Sequence, residues 1–272
     1  AIRADWSYEH KADLVSYDLV LWPWIEPKGF GPGWYHETET KKWMRSDGIF
    51  YLHNENTTSS LITFSVDLQS YYKNREVEVY LNSELLSTIT VYADKVLRYS
   101  WLINLPPGVN VLRFHSKSPC DVPYIKEEKE DYRCLSICLT YLSYKQFNGS
   151  PVFSYWYPSE KNVNYRHMPK SSQLIIYNPL NNSVKTEFSF IMSSFYRNRT
   201  LEVLLNGKTI GVYVIPPNRT EIRMIGDLLP GMNNLILESK EGCDTPAQLN
   251  ISSDTRCISF TLYQINTKRL VA

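Results

Sequence analysis

The 272-residue sequence contains no apolar run approaching the roughly twenty residues needed to cross a bilayer as a helix. Its apolar stretches, such as 174–177 and 212–215, are the length of strands. Neither charge is in excess, with 29 Lys and Arg against 28 Asp and Glu, and no basic stripe is visible. That excludes a nucleic-acid partner gripped through its phosphates. Glycines are few, 11 in all, and none falls in a Walker or dinucleotide-binding pattern. The five histidines, His10, His36, His53, His115 and His167, are scattered, with no HExxH spacing, and no G-x-S-x-G elbow occurs. Zincin, nucleophile-elbow and nucleotide-binding chemistry are all without a motif.

Glu37 and Glu160 are the acids best suited to catalysis, in Trp34-Tyr-His-Glu37 and Trp156-Tyr-Pro-Ser-Glu160. Two carboxylates beside aromatics suit glycoside hydrolysis. These two fall in different halves of the chain, so a shared site would require a special domain interface. Each is better read as fixing a local turn or belonging to a sugar platform. The chain is expected not to be an enzyme, and neither a cofactor nor a metal is expected.

Aromatics are plentiful at 14%, and twenty tyrosines supply most of them. Such side chains suit half-buried pleated surfaces, which points to sheet. The dominant signal is an internal repeat. Ser70-Tyr-Tyr-Lys-Asn-Arg75 and Val77-Glu-Val-Tyr-Leu-Asn82 match Ser194-Phe-Tyr-Arg-Asn-Arg199 and Leu201-Glu-Val-Leu-Leu-Asn206. Leu105-Pro-Pro-Gly-Val-Asn110 echoes Leu229-Pro-Gly-Met-Asn233, and Asp131-Tyr-Arg-Cys-Leu-Ser136 echoes Asp254-Thr-Arg-Cys-Ile-Ser259.

Within each copy, short alternating segments end in turn residues. Val77, Val79 and Leu81 alternate with Glu76, Glu78 and Tyr80, as a half-buried strand requires. Asn206-Gly207 is a hairpin turn signal, and the Pro-Gly pairs 107–108 and 230–231 mark a further turn before strands at 111–114 and 235–237. No long amphipathic helix is apparent. The reading is all-β: two tandem β-sandwich, jelly-roll-like domains at 31–147 and 148–272, with an extended N-terminal arm over 1–30.

Cys120 and Cys134 are separated as Cys243 and Cys257 are, each pair enclosing a polar loop-like segment. A disulfide there closes about fifteen residues, worth roughly 3 kcal/mol in the chain-entropy model. A metal site is the alternative, although zinc spacings are absent. Disulfides imply an extracellular or cell-surface location, or a hyperthermophile's cytosol. Cys138 is left over, as a buried small apolar side chain or as a reactive or intermolecular thiol. Six N-x-S/T sequons begin at Asn56, Asn148, Asn181, Asn198, Asn218 and Asn250. That is more than the roughly three expected by chance and suggests covalently attached N-glycans. The sequence opens on Ala1-Ile-Arg, as a chain does after signal-peptide removal, or as an excised fragment does.

Trp34, Tyr35, Trp43, Trp156 and Tyr157 gather at the start of the repeats. They are read as caps on a sandwich core or, for Trp34, Tyr35, Glu37, Trp156, Tyr157 and Glu160, as a candidate platform for a carbohydrate ligand. Arg75 and Arg199 recur with Asp131 and Asp254, which suggests a repeated salt bridge between hairpin and cysteine loop. In the arm, Leu14, Val15, Tyr17, Leu19, Leu21 and Trp22 form an apolar, strand-prone segment. It either folds back on its own sheet or is donated to a neighbouring copy, giving a homopolymer.

The second copy resembles an extracytoplasmic, jelly-roll-like β-domain appended to archaeal membrane proteins of the dolichyl-phosphate-mannose mannosyltransferase type. The residues that carry the resemblance are Ser193-Ser-Phe-Tyr-Arg-Asn-Arg-Thr-Leu-Glu-Val203, Glu241-Gly-Cys-Asp-Thr-Pro246 and Asp254-Thr-Arg-Cys-Ile-Ser259. Trp34-Tyr-His-Glu37 and Lys42-Trp-Met44 are similar to its opening W-Y-x-x-E and R-W-M. The resemblance implies a jelly roll facing the outside of an archaeal cell, without transferase activity. The first repeat departs from it at Glu76-Val77 and in the charged loop 126–131. The second departs at Arg166-His-Met168, which lacks the tryptophan. The expected function is a structural surface glycoprotein of a filament or coat, with a carbohydrate-binding module as the alternative.

Overall fold

The computed structural model describes residues 29–36, 41–160 and 163–270. The first repeat runs β1 (Gly29–Phe30), β2 (Trp34–His36), β3 (Lys42–Met44), β4 (Asp47–Asn54), β5 (Ser60–Ser70), β6 (Arg75–Leu81), β7 (Glu84–Val91), β8 (Leu97–Leu105), β9 (Gly108–Ser116), α1 (Pro123–Glu127) and β10 (Ile137–Gln146). The second runs β11 (Val152–Ser154), β12 (Arg166–Met168), β13 (Ser171–Asn178), β14 (Val184–Ser194), β15 (Arg199–Leu205), β16 (Lys208–Ile215), β17 (Thr220–Leu228), β18 (Gly231–Ser239) and β19 (Phe260–Arg269). Among the described residues α1, one turn long, is the sole helix.

Among the described residues these strands form four sheets, ordered β1-β4-β9-β6-β7, β2-β3-β10-β5-β8, β11-β13-β18-β15-β16 and β12-β19-β14-β17. From β3 to β10 the chain crosses between sheets at every step except the β6–β7 hairpin, and β12 to β19 repeats that course around the β15–β16 hairpin. This is jelly-roll connectivity, so the all-β tandem-sandwich expectation is correct. By contacts the chain divides into two compact units near residue 147, with 63–65 and 97–102 grouping with the second.

Local chemistry explains the strands. Val77, Val79 and Leu81 are buried along β6, and the residues between them face outward. Asn206 and Gly207 both have positive φ, 50° and 81°, as a type I′ turn demands, and Asn82 and Ser83 do the same at 48° and 74°. The β6–β7 pairing shifts between Val79 and Tyr80, and the β15–β16 pairing shifts at the matching Val203 and Leu204. The repeat therefore extends to its bulges. Each inter-sheet space is filled with large apolar side chains. Met44, Leu52, Val66, Val77 and Phe114 are buried in the first unit, and Phe188, Phe190, Leu201, Val203 and Phe260 in the second.

Both cysteine pairs are disulfides, with Cα–Cα separations of 5.2 Å for Cys120–Cys134 and 5.2 Å for Cys243–Cys257. An antiparallel bridge runs beside each, Asp121 to Leu135 and Asp244 to Ile258. Cys138 is buried in β10 and takes no part in either disulfide.

One expected contact is corrected. Arg75 and Arg199 do not pair with Asp131 and Asp254. They are enclosed side chains bonded to Asp121 and Asp244, the residues that follow the first cysteine of each pair. Asp131 and Asp254 are taken by the arginine two positions on: Arg133 Nη2 lies 2.7 Å from Asp131, and Arg256 Nη2 lies 2.6 Å from Asp254. That neighbouring guanidinium holds each of these two carboxyls below the usual range.

Candidate functional site

Four of the five aromatics at the entry of the repeats are core residues, and Trp43 is half-buried. Trp34, Tyr35, Trp156 and Tyr157 are all buried. The indole Nε1 of Trp34 donates to the Ile49 carbonyl at 2.9 Å, and that of Trp156 to the Gln173 carbonyl at 3.0 Å. Tyr157 Oη donates to the Cys257 carbonyl at 3.1 Å. Rings enclosed and bonded in this way cap the sandwich and offer no face to a sugar, which removes these four from the candidate platform.

Glu160 accepts a hydrogen bond from Arg256 Nη2 at 2.7 Å, in the network that holds Asp254. It braces the cysteine loop of the second unit. Glu37 and the arm residues Leu14, Val15, Tyr17, Leu19, Leu21 and Trp22 lie outside the described residues. The sequon residues Asn56, Asn148, Asn181, Asn198, Asn218 and Asn250 are all exposed.

A concave site does exist, and it uses residues that the repeat comparison passes over. On the second unit a cleft of about 340 Å³ opens where the segment leading into β12 meets residues 262–265 of β19, lined by Phe153, Asn164, Tyr165, Arg166, Tyr263 and Gln264 among others. This falls within the roughly 300–1,000 Å³ typical of small-molecule sites. The Tyr165 and Tyr263 rings meet at 6.0 Å between centroids and 62° between planes, an edge-to-face corner. Behind them the Tyr165 ring meets His167 at 5.1 Å.

Polar anchors fix this corner. Tyr263 Oη and Ser193 Oγ share a hydrogen bond of 3.2 Å, and the Arg219 guanidinium lies 4.0 Å from the Tyr263 ring centroid. The Arg166 guanidinium covers the Phe153 ring at 4.5 Å. His167 Nδ1 bonds Thr261 Oγ1 at 2.9 Å. Burial, reinforced by the nearby Arg256 charge, holds the His167 imidazole below its usual value. The cleft is therefore lined by two half-buried tyrosine rings set at an angle, one of them carrying Arg219 over a face, with the exposed Asn164 and Gln264 amides beside them.

The first unit is built differently at the matching strand. Where the second has His167, it has Trp43, whose ring meets Tyr71 at 5.7 Å and 89°. Lys41 Nζ lies 5.5 Å from the Trp43 ring centroid. Burial, and then the negative charge of the nearby Glu127 carboxylate, pushes the Tyr71 hydroxyl up to about 12. Among the described residues no three His, Cys, Asp or Glu side chains gather to hold a metal ion. No described helix is long and apolar enough to cross a membrane.

No family model matches the sequence, and no curated protein matches it. Solved structures show a distant likeness. The N-terminal CBM22-1–CBM22-2 tandem domain of Paenibacillus barcinonensis Xyn10C is 10% identical at a TM-score of 0.29, covering 85% of this chain and 86% of that one. A ruminal GH26 endo-β-1,4-mannanase is 12% identical at 0.29, covering 47% of this chain and 21% of that one. The Podospora anserina GH26-CBM35 β-(1,4)-mannanase is 13% identical at 0.28, covering 42% and 26%. The chain thus spans about a fifth and a quarter of the two mannanases. Likeness at this level carries no weight for function.

Proposed function

We propose that this chain is an extracellular, non-enzymatic carbohydrate-binding protein that holds a sugar ring in the cleft where the segment leading into β12 meets β19. The observation that carries the reading is the corner made by Tyr165 and Tyr263 inside that cleft. A pyranose has an apolar face of C–H groups and a rim of hydroxyls. An aromatic wall meets the first, and the Asn164 and Gln264 amides with the Arg166 guanidinium meet the second. The two disulfides support a location outside the cytosol. Binding of the wild type to an array of glycans, beside Tyr263→Ala, tests the proposal. Retention of a glycan by the wild type and its loss in the variant is the expected result; no retention, or equal retention, refutes it.

A second reading, a filament or coat subunit assembled through the arm, is favoured by the apolar segment Leu19-Val20-Leu21-Trp22. Electron microscopy of the protein beside a variant lacking residues 1–30 tests it. Fibres that vanish with the arm support it, and single particles in both samples oppose it.

A further inference from the structure

The turn between β14 and β15 runs into β15 as Tyr196-Arg-Asn-Arg-Thr200. Of the six sequons, that of Asn198 alone has an aromatic residue two positions ahead of its asparagine. Tyr196 is left-handed, with φ 67°, and 60% exposed. A bulky side chain is an outlier in that conformation, which glycine and asparagine adopt with less strain. Phe195 meets the Tyr196 ring at 6.4 Å and 38°, and more than half of the tyrosine stays open to solvent. The turn itself is fixed from beneath, because Arg197 N donates to the Phe195 carbonyl at 2.8 Å and Arg199 Nε donates to the same carbonyl at 3.4 Å.

The first repeat supplies the comparison. Tyr72 has φ 64°, is 55% exposed, and meets Tyr71 at 6.3 Å and 37°. Over its ring lies Lys126 Nζ, 5.5 Å from the centroid, reaching in from the cysteine loop. That turn reads Tyr72-Lys-Asn-Arg-Glu76 and contains no sequon. The second cysteine loop, 244–256, contains no lysine, and there the turn carries a sequon instead. Each repeat holds a tyrosine out in a strained conformation, and each has a different polar group available to cover it.

We propose that Asn198 is N-glycosylated and that the first sugar of its glycan stacks on Tyr196, in the role that Lys126 fills over Tyr72. In the modification Asn198 Nδ2 attacks the anomeric carbon of a lipid-linked sugar phosphate. The C–N bond forms, the C–O bond to phosphate breaks, and the amide proton leaves with the lipid phosphate. The stacked sugar covers the ring face and offsets the strain that the tyrosine brings. This inference depends on passage through a glycosylating compartment and is independent of the cleft.

The test is the full chain secreted from a eukaryotic cell, with glycopeptide mass spectrometry at Asn198 and thermal unfolding of four proteins: wild type, Asn198→Gln, Tyr196→Asn and the double variant. The expected result is an occupied Asn198. Asn198→Gln then lowers Tm by about 2–4 °C when Tyr196 is present and leaves it unchanged in the Tyr196→Asn background. An unmodified Asn198, no fall in Tm, or an equal fall in both backgrounds overturns the proposal.

Discussion

Arg199 forms an ion pair with Asp244, the residue beside disulfide-bonded Cys243, and the guanidinium is fully enclosed. Arg75 and Asp121 repeat the arrangement beside Cys120. Arg199 Nη1 also donates to the Gly242 carbonyl at 2.9 Å, so one buried cation ties the start of β15 to both the backbone and the carboxylate of the cysteine loop. The loop is thus held twice, covalently and electrostatically.

Removing one partner of such a pair leaves an uncompensated charge inside the protein. Asp244→Ala is expected to destabilise the second unit by about 3–5 kcal/mol in urea unfolding. Asp254→Ala, which leaves the partly exposed Arg256 its bond to Glu160, is expected to cost at most about 1 kcal/mol. If the larger effect falls on Asp254, the pairing described above is not what holds the loop.

The disulfide makes a separate contribution. Replacing Cys243 and Cys257 together by serine releases a loop of about fifteen residues and is expected to lower stability by about 3 kcal/mol. Denaturant midpoints with and without a thiol reductant measure this. The double-serine variant is expected to be insensitive to a reductant that acts on the second unit of the wild type.

The two hairpin turns differ in one residue with a readable consequence. Ser83 takes φ 74° where the second repeat has Gly207 at 81°. Glycine adopts that conformation without the Cβ contact, so Ser83→Gly is expected to stabilise the first unit by up to about 1 kcal/mol, and Gly207→Ala to destabilise the second by a similar amount. Nothing lies within 4 Å of a Cβ built on Gly207, so the effect is one of conformation and not of crowding. Paired thermal melts check both signs.

His167 gives a pH dependence. Burial lowers its folded value below the ordinary 6.5, so the unfolded chain takes up the proton first. Its contribution is therefore complete above about pH 6.5 and is lost as the pH falls from there towards the folded value. His167→Gln is expected to flatten the stability profile over that window. An unchanged profile would show that the imidazole does not titrate there.

How much of this was legible beforehand varied with the kind of signal. Alternation in β6, the Asn206-Gly207 turn and the cysteine spacing are local or repeated, and each led to the right element. The partner of Arg199 was not legible, because Asp244 and Asp254 recur in both copies and spacing alone cannot choose between them. Geometry does, since Arg256 already satisfies Asp254 from two residues away. Trp34 opens β2 and Trp156 follows β11, and at such strand ends a sequence does not say whether a ring turns inward. Tyr165 and Tyr263 escaped notice because neither recurs: the matching positions in the first repeat are Lys41 and Thr140. The signal that could have found them is a tyrosine in the polar run Lys161-Asn-Val-Asn-Tyr165, set against another that follows the core residue Leu262.

The central claim, that a sugar sits in the corner of Tyr165 and Tyr263, is tested most directly by NMR. Tyrosine ring signals are followed while a glycan retained on the array is titrated into the full chain. The account predicts saturable shifts of the Tyr165 and Tyr263 rings, with Tyr72 and Tyr124 on the first unit unmoved. Shifts confined to the first unit, or none at any tyrosine, would contradict it.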